Sequence, residues 1–94
     1  MYVLVMEIEL RLPHAHSLKD KRQVVKSLVE ASRRRFGVSS SEVGRQDSWQ
    51  RAQIGFAVVA SSAGQAESVL DDVERFVWSR GEIEVIATER TWLE

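Results

Sequence analysis

Apolar and polar residues alternate in two stretches of the chain. Over residues 2–12 every even position is apolar, while the odd positions carry two glutamates and an arginine toward the end. Residues 51–60 alternate in a similar way. Successive side chains of a strand point to opposite faces, so a period of two predicts two strands that each place one face on a core. Pro13 ends the first strand, because it cannot donate to a ladder.

Two other stretches have helical spacing. The first begins after Ser17, which forms a capping box with Asp20, and ends at Gly37, a residue free to adopt positive φ. The second begins after Ser62 and is predicted to end at Gly81. Each has a buried face at three- and four-residue spacing, formed by Leu18, Val25, Leu28, Val29, Ser32 and Phe36 in the first and by Ala66, Val69, Leu70, Val73, Phe76 and Val77 in the second.

Two further strands are predicted over residues 38–45 and 82–93, which gives the order β-α-β-β-α-β. Each βαβ crossover should be right-handed. The simplest packing is an α+β, ferredoxin-like domain spanning residues 1–94, with a four-stranded antiparallel sheet and both helices on one face. The strand order 4-1-3-2 places the two most apolar strands in the centre.

Composition excludes several classes of protein. Ninety-four residues fit one domain, and 44% hydrophobic with 29% charged residues is ordinary for a globular chain. The absence of cysteine excludes disulfides, zinc–thiolate sites and cysteine nucleophiles, and it fits a cytoplasmic location. The first residues lack a basic flank and are interrupted by Glu7 and Glu9, which predicts neither a signal peptide nor a membrane span.

Charge is distributed unevenly along the chain. The net charge is −1, yet residues 17–36 hold seven cations and two acids, so this helix carries +5 and the remainder −6. Such asymmetry can orient a charged partner. A solvated helix face is nevertheless the favoured interpretation of this charge, and for Arg33, Arg34 and Arg35 stabilisation of the negative end of the helix dipole is favoured over ligand binding.

Two motifs stand in order along the chain: SLKDKR followed by VVKSL within residues 17–28, and EVG, QDSWQRA and IG within residues 42–55. They resemble the YlxP-like family of small bacterial proteins, and the likeness covers nearly the whole chain. The resemblance implies a ferredoxin-like fold and genes that lie beside translation and ribosome-maturation genes. It implies no catalytic residues, and Asp20 stands where the family pattern has Glu.

The predicted topology brings four segments to one end of the domain. They are the loop after the first strand, the start of the first helix, the 45–51 hairpin and the end of the second helix with Trp78 and Arg80. Free backbone N–H groups and the helix dipole favour anions at a helix N-terminus. Gln46 and Asp47 lie nearby. The predicted anion- or partner-binding residues are His14, His16, Lys19, Lys21, Arg22, Arg45, Trp49 and Arg51.

Several of these residues have a second interpretation. His14 and His16 could bind a metal with Asp47, but the ligands are too few and cations surround them, so we expect no metal and no cofactor. Asp47 fits a turn residue better than an acid–base group. Trp49 could stack on a nucleobase, although covering the hairpin is favoured because an exposed tryptophan is costly.

The sheet face away from the helices is predicted to carry an apolar patch of Val3, Val5, Ala57 and Val59. The patch is either a subunit interface or a tolerated apolar area. No aromatic residue lies on this face, which disfavours RNA recognition of the kind used by RNA-recognition motifs.

The residues favour a binding protein over an enzyme, because no phosphate-binding loop or nucleophile–base arrangement stands out. We expect a cytoplasmic protein that engages RNA or a ribonucleoprotein through the basic helix and the loop end. Two alternatives remain open. One is an enzyme that binds a small ligand or phosphometabolite at the same end, and the other is a homodimeric structural adaptor.

Overall fold

The computed structural model describes residues 1–94 and confirms the predicted architecture. The elements are β1 (Tyr2–Arg11), α1 (Leu18–Phe36), β2 (Ser39–Gly44), β3 (Arg51–Ala60), α2 (Ala63–Trp78) and β4 (Glu84–Trp92). The four strands form one antiparallel sheet in the order β2-β3-β1-β4, which is the predicted order 4-1-3-2 read from the other edge. The two helices pack against the sheet and against each other.

The core lies between the sheet and the helices. Alternate residues of β1 and β3 are buried on the helical side. The other face of these two strands is polar near Arg11 and Arg51 and apolar near Val3 and Val59. Tyr2 is the exception at the strand end, where its ring packs edge-on against Trp92 with centroids 6.1 Å apart. Neither helix combines the length and apolarity that crossing a bilayer requires.

Helix α1 begins and ends where its caps predict. The Ser17 hydroxyl accepts a hydrogen bond from the backbone N–H of Asp20 at 3.0 Å. The Asp20 carboxylate accepts one from the backbone N–H of His16, one residue before the cap, also at 3.0 Å. Gly37 adopts the left-handed conformation with φ 67° and donates its N–H to the carbonyl of Arg33. Both ends of the basic helix are therefore fixed by local chemistry.

Helix α2 ends earlier than predicted. The Ser62 cap is present, since its hydroxyl accepts from the N–H of Gln65. The helix stops at Trp78 instead of running to Gly81. Its end tightens there, because the N–H of Ser79 is shared between the carbonyls of Arg75 and Phe76 and the N–H of Arg80 donates to the carbonyl of Val77. The chain then turns, and β4 begins at Glu84.

Candidate functional site

The histidine loop and the β2–β3 hairpin lie together at one end of the sheet. The side-chain amide of Gln50 donates to the carbonyl of Ala15 at 3.2 Å. The N–H of Leu12 donates to the carbonyl of Gln50 at 2.8 Å, which joins the end of β1 to the hairpin. The loop end predicted from topology is therefore one connected surface at the N-terminus of α1.

Lys21 does not belong to that surface, which corrects the expectation that it is an exposed cation. Its side chain is fully buried, at 0% exposure. The Nζ atom forms an ion pair with the Glu42 carboxylate at 2.7 Å and donates to the carbonyl of Arg45 at 2.7 Å. The helical spacing does indicate that Lys21 is buried, because position 21 precedes Val25 and Leu28 on the buried face by four and seven residues.

Arg45 and Arg51 are also engaged within the protein. Both guanidinium groups contact the Glu9 carboxylate, at 2.9 Å and 2.8 Å, on the open face of the sheet. The hydrogen bond from Arg51 is the main cause that holds the pKa of Glu9 below its ordinary value. Desolvation, the next largest effect, opposes it, and the charges of Arg45 and Arg51 lower the pKa further. Glu9 therefore partly neutralises both arginines. They lie beside the loop end but are not among its unpaired cations.

The hairpin is held in an uncommon backbone conformation. Arg45 adopts φ 58°, in the left-handed region that residues other than glycine rarely occupy. Its carbonyl is fixed by Lys21 and its guanidinium by Glu9, so contacts from the helix and from the sheet oppose relaxation of this turn.

The remaining predicted residues are exposed. His14, His16, Lys19 and Arg22 have no acidic partner, and no three metal-ligating side chains come together in the structure. Trp49 is 55% exposed, so the favoured interpretation that it covers the hairpin is wrong. Its ring is available to a ligand at the loop end.

The exposed cations continue along α1 as a basic face. Lys19, Arg22, Lys26 and Arg34 lie within one third of the helix circumference and form no ion pair within the protein. At a rise of about 1.5 Å per residue this basic face extends roughly 22 Å. Arg33 is not part of it, because its guanidinium donates to the carbonyl of Ser40 on the edge strand.

A groove between α1 and α2 adjoins the basic face, and sequence reasoning missed it. Phe76 forms part of its wall, and the Arg35 guanidinium lies 4.7 Å from the centre of that ring. Arg80 reaches the same ring and contacts Ser27 in the middle of α1, instead of joining the loop end as expected. The sequence pattern predicts that Phe76 lies in the core and that Arg35 stabilises the helix dipole. Neither prediction indicates that the two residues line the same groove.

The open face of the sheet carries the predicted apolar patch. Val3 pairs with Val59 and Val5 with Ala57, and Val59 is 65% exposed. The patch borders a shallow depression of about 570 Å³ over Gly55. Beyond it the face becomes acidic, since Glu7 lies opposite Glu89 in the next row of the sheet.

Comparisons with known proteins place the chain in a family. Residues 3–90 match the family described as "Protein of unknown function (DUF503)". The chain belongs to this family. It is 43% identical over 86 residues to the uncharacterized protein YlxP of Bacillus subtilis (strain 168), a match that covers 92% of this chain and 94% of that protein. The resemblance seen in the sequence motifs is thereby confirmed.

A structural comparison supports the fold of this DUF503 chain. A de novo designed protein with a ferredoxin fold, solved by solution NMR, is similar with a TM-score of 0.60 over 100% of this chain and 87% of that chain. At 13% identity the similarity shows the fold alone.

Proposed function

We propose that this DUF503 protein binds RNA or a ribonucleoprotein through the basic face of α1 and the adjoining loop end. The observation that carries the proposal is the set of exposed cations on α1 that have no acidic partner in the protein: Lys19, Arg22, Lys26 and Arg34. Elsewhere on the surface most arginines are paired with carboxylates, as Arg11 is with Glu84. Unpaired cations in a row are what a phosphate backbone neutralises.

The loop end adds groups that suit a nucleic acid. His14 and His16 are exposed at the same end as the helix N-terminus, and Trp49 offers an exposed ring. Aromatic side chains stack on unpaired bases, while backbone N–H groups and cations contact phosphates. The acidic row of Glu7 and Glu89 lies on the open sheet face, away from α1, so the charge distribution would orient the protein on a polyanion.

An enzyme at this end is less well supported. Neither histidine ring hydrogen-bonds to a carboxylate or a hydroxyl, the contact by which a general base is usually oriented. The only hydrogen bond of His16 is from its backbone N–H to Asp20, which serves the helix cap.

Capture from a bacterial lysate, with and without ribonuclease, tests the proposal. The wild-type protein should retain RNA or a ribonucleoprotein at low salt and release it at high salt. Arg22→Ala with Lys26→Ala should retain much less. The matched control is Arg11→Ala with Arg75→Ala, which removes two exposed cations that are paired with acids elsewhere. Equal retention by both double variants, or no RNA with the wild type, would refute the proposal.

A homodimeric adaptor is a second candidate, supported by the apolar patch of the open face, where Val59 is exposed and Val3 and Val5 are half-buried. Two copies packed with Val3, Val5, Ala57 and Val59 facing each other would bury the same residues on both sides, as a two-fold interface requires. Val59→Lys should then convert a dimer into a monomer, because an unpaired ammonium is costly to bury.

Sedimentation velocity of the wild type and of Val59→Lys measures this directly. Ile86→Lys is the matched control, since Ile86 is exposed on β4 outside the valine patch. A wild type that remains monomeric at high concentration, or a dimer that survives Val59→Lys, would remove this candidate.

A further inference from the structure

The groove between α1 and α2 is strongly cationic. It has a volume of about 470 Å³ and is lined by four cations against one carboxylate, Glu30. Lys26 and Arg34 also belong to the basic face of α1, so the groove opens beside that face. The cations are Lys26, Arg34, Arg35 and Arg80.

Two of these cations, Arg35 and Arg80, lie against the same aromatic ring, that of Phe76. The guanidinium carbons of Arg35 and Arg80 lie 4.7 Å and 5.6 Å from the centre of the Phe76 ring. The Arg35 guanidinium is also 5.5 Å from the Phe36 ring, and this guanidinium forms no hydrogen bond or ion pair with the protein. Stacking on a ring fixes the plane of a guanidinium and leaves its N–H groups free along the edge, which is the geometry of bidentate oxyanion binding.

Arg80 is held in place by other contacts. Its guanidinium donates to the Glu82 carboxylate at 3.0 Å and 2.8 Å and to the Ser27 hydroxyl at 3.2 Å. These bonds span the turn after α2 and the middle of α1. They use part of the donor capacity of Arg80 while keeping its charge at the groove, so Arg35 is the side chain with its full set of donors available.

We propose that this groove binds a phosphoryl group, with Arg35 as the bidentate donor and Lys26 and Arg34 as further cations. Arg80 is offset by Glu82, and the other three cations face one acid. The net positive charge that remains suits the dianion of a phosphate monoester, or the successive singly charged phosphates of an RNA backbone, better than a single carboxylate. The phosphoryl group belongs either to an RNA backbone or to a small phosphate monoester. The first source rests on the proposed function, and the second does not.

Titration with inorganic phosphate, followed by two-dimensional ¹H–¹⁵N NMR, tests the site. Phosphate should shift the Nε–H signals of Arg35 and Arg80 and the amides around Ser27, whereas acetate at matched ionic strength should not. Arg35→Gln should weaken phosphate binding by about tenfold, the effect of losing charge-assisted hydrogen bonds. Arg75→Gln, which removes an α2 cation paired with Asp72, should leave it unchanged.

Arg35→Lys keeps the positive charge but loses the paired N–H donors of the guanidinium. This variant should bind phosphate more weakly than the wild type and more tightly than Arg35→Gln. The amide spectrum of each variant without phosphate shows that it is folded. Phosphate shifts that are absent in the wild type, equal in Arg35→Gln, or reproduced by acetate would overturn the proposal.

A labelled single-stranded RNA distinguishes the two sources. If the RNA backbone occupies the groove, Arg35→Gln should weaken RNA binding as well as phosphate binding. If Arg35→Gln loses phosphate but keeps RNA, the groove serves a small phosphate monoester and the basic face serves the RNA. A wild type that binds phosphate in the groove but no RNA would refute the proposed function and leave the groove proposal standing.

Discussion

Among single residues, Lys21 departs most from what its charge suggests. A lysine among other cations at the start of a helix is expected to lie on the surface. The ammonium of Lys21 is instead buried against the Glu42 carboxylate and the Arg45 carbonyl. A buried ion pair adds little net stability compared with an apolar replacement, but removing one partner leaves an uncompensated charge. The contact therefore acts as a fixed link between α1 and the β2–β3 hairpin.

Lys21→Ala should lower the free energy of unfolding by about 3–5 kcal/mol, because it strands the Glu42 carboxylate in a half-buried position. Urea denaturation measures the loss, and Glu42→Gln with Lys21→Ala should cost less than the two single changes added together. Lys19→Ala, on the exposed side of the same turn, is the control and should change stability by no more than about 0.5 kcal/mol. A similar small effect for Lys21→Ala would contradict the buried pair.

Glu9 gives a prediction about pH. Its pKa is lowered chiefly by the hydrogen bond from Arg51, so the folded state prefers the ionised carboxylate. The resulting stabilisation is fully present above the unfolded-state pKa of about 4.3 and is lost as the pH falls through the lower folded-state pKa. In a carboxyl ¹³C NMR titration Arg51→Gln should raise the pKa of Glu9. An unchanged titration curve would show that the ion pair is not formed in solution.

At the scale of elements, the capping residues of α1 make a testable contribution. Ser17→Ala removes the acceptor for the N–H of Asp20 and should cost about 1 kcal/mol in urea denaturation. Ser41→Ala is the matched control, because the exposed Ser41 hydroxyl bonds only to the adjacent carbonyl of Glu42 at 3.3 Å. Equal stability of the two variants would mean that the helix start does not depend on this cap.

The elements themselves were predictable because their signals are local. Alternation over β1 and β3 and the Ser17 cap depend on neighbouring residues, and the strand order followed from general rules of connection. The end of α2 was missed because the backbone changes to three-residue hydrogen bonds at Ser79 and Arg80, before Gly81, the residue on which the prediction relied.

The contents of the candidate site were predicted less well, because they depend on packing between elements. That Glu9 would hold both Arg45 and Arg51 follows from register between β1 and the hairpin, which periodicity does not specify. The groove at Phe76 exists only because the two helices lie side by side with Arg35 and Arg80 across one ring. Such a site has no signature along either helix.

At the scale of the whole molecule, the two large surfaces have different chemistry. One carries the basic face of α1 and the groove, while the open sheet face combines exposed valines with the acidic row. The small net charge conceals this division. A polyanion bound along α1 would leave the open face free, so RNA binding and self-association can be tested independently.

The salt dependence of RNA affinity tests the central claim most directly. The logarithm of the association constant for a single-stranded RNA, plotted against the logarithm of salt concentration, should fall with a slope of about −0.7 for each phosphate neutralised. Arg22→Ala with Lys26→Ala should make the slope shallower by about 1.4, whereas Arg11→Ala with Arg75→Ala should leave it unchanged. Identical slopes for the three proteins, or an affinity insensitive to salt, would contradict an RNA-binding role for the basic face of α1.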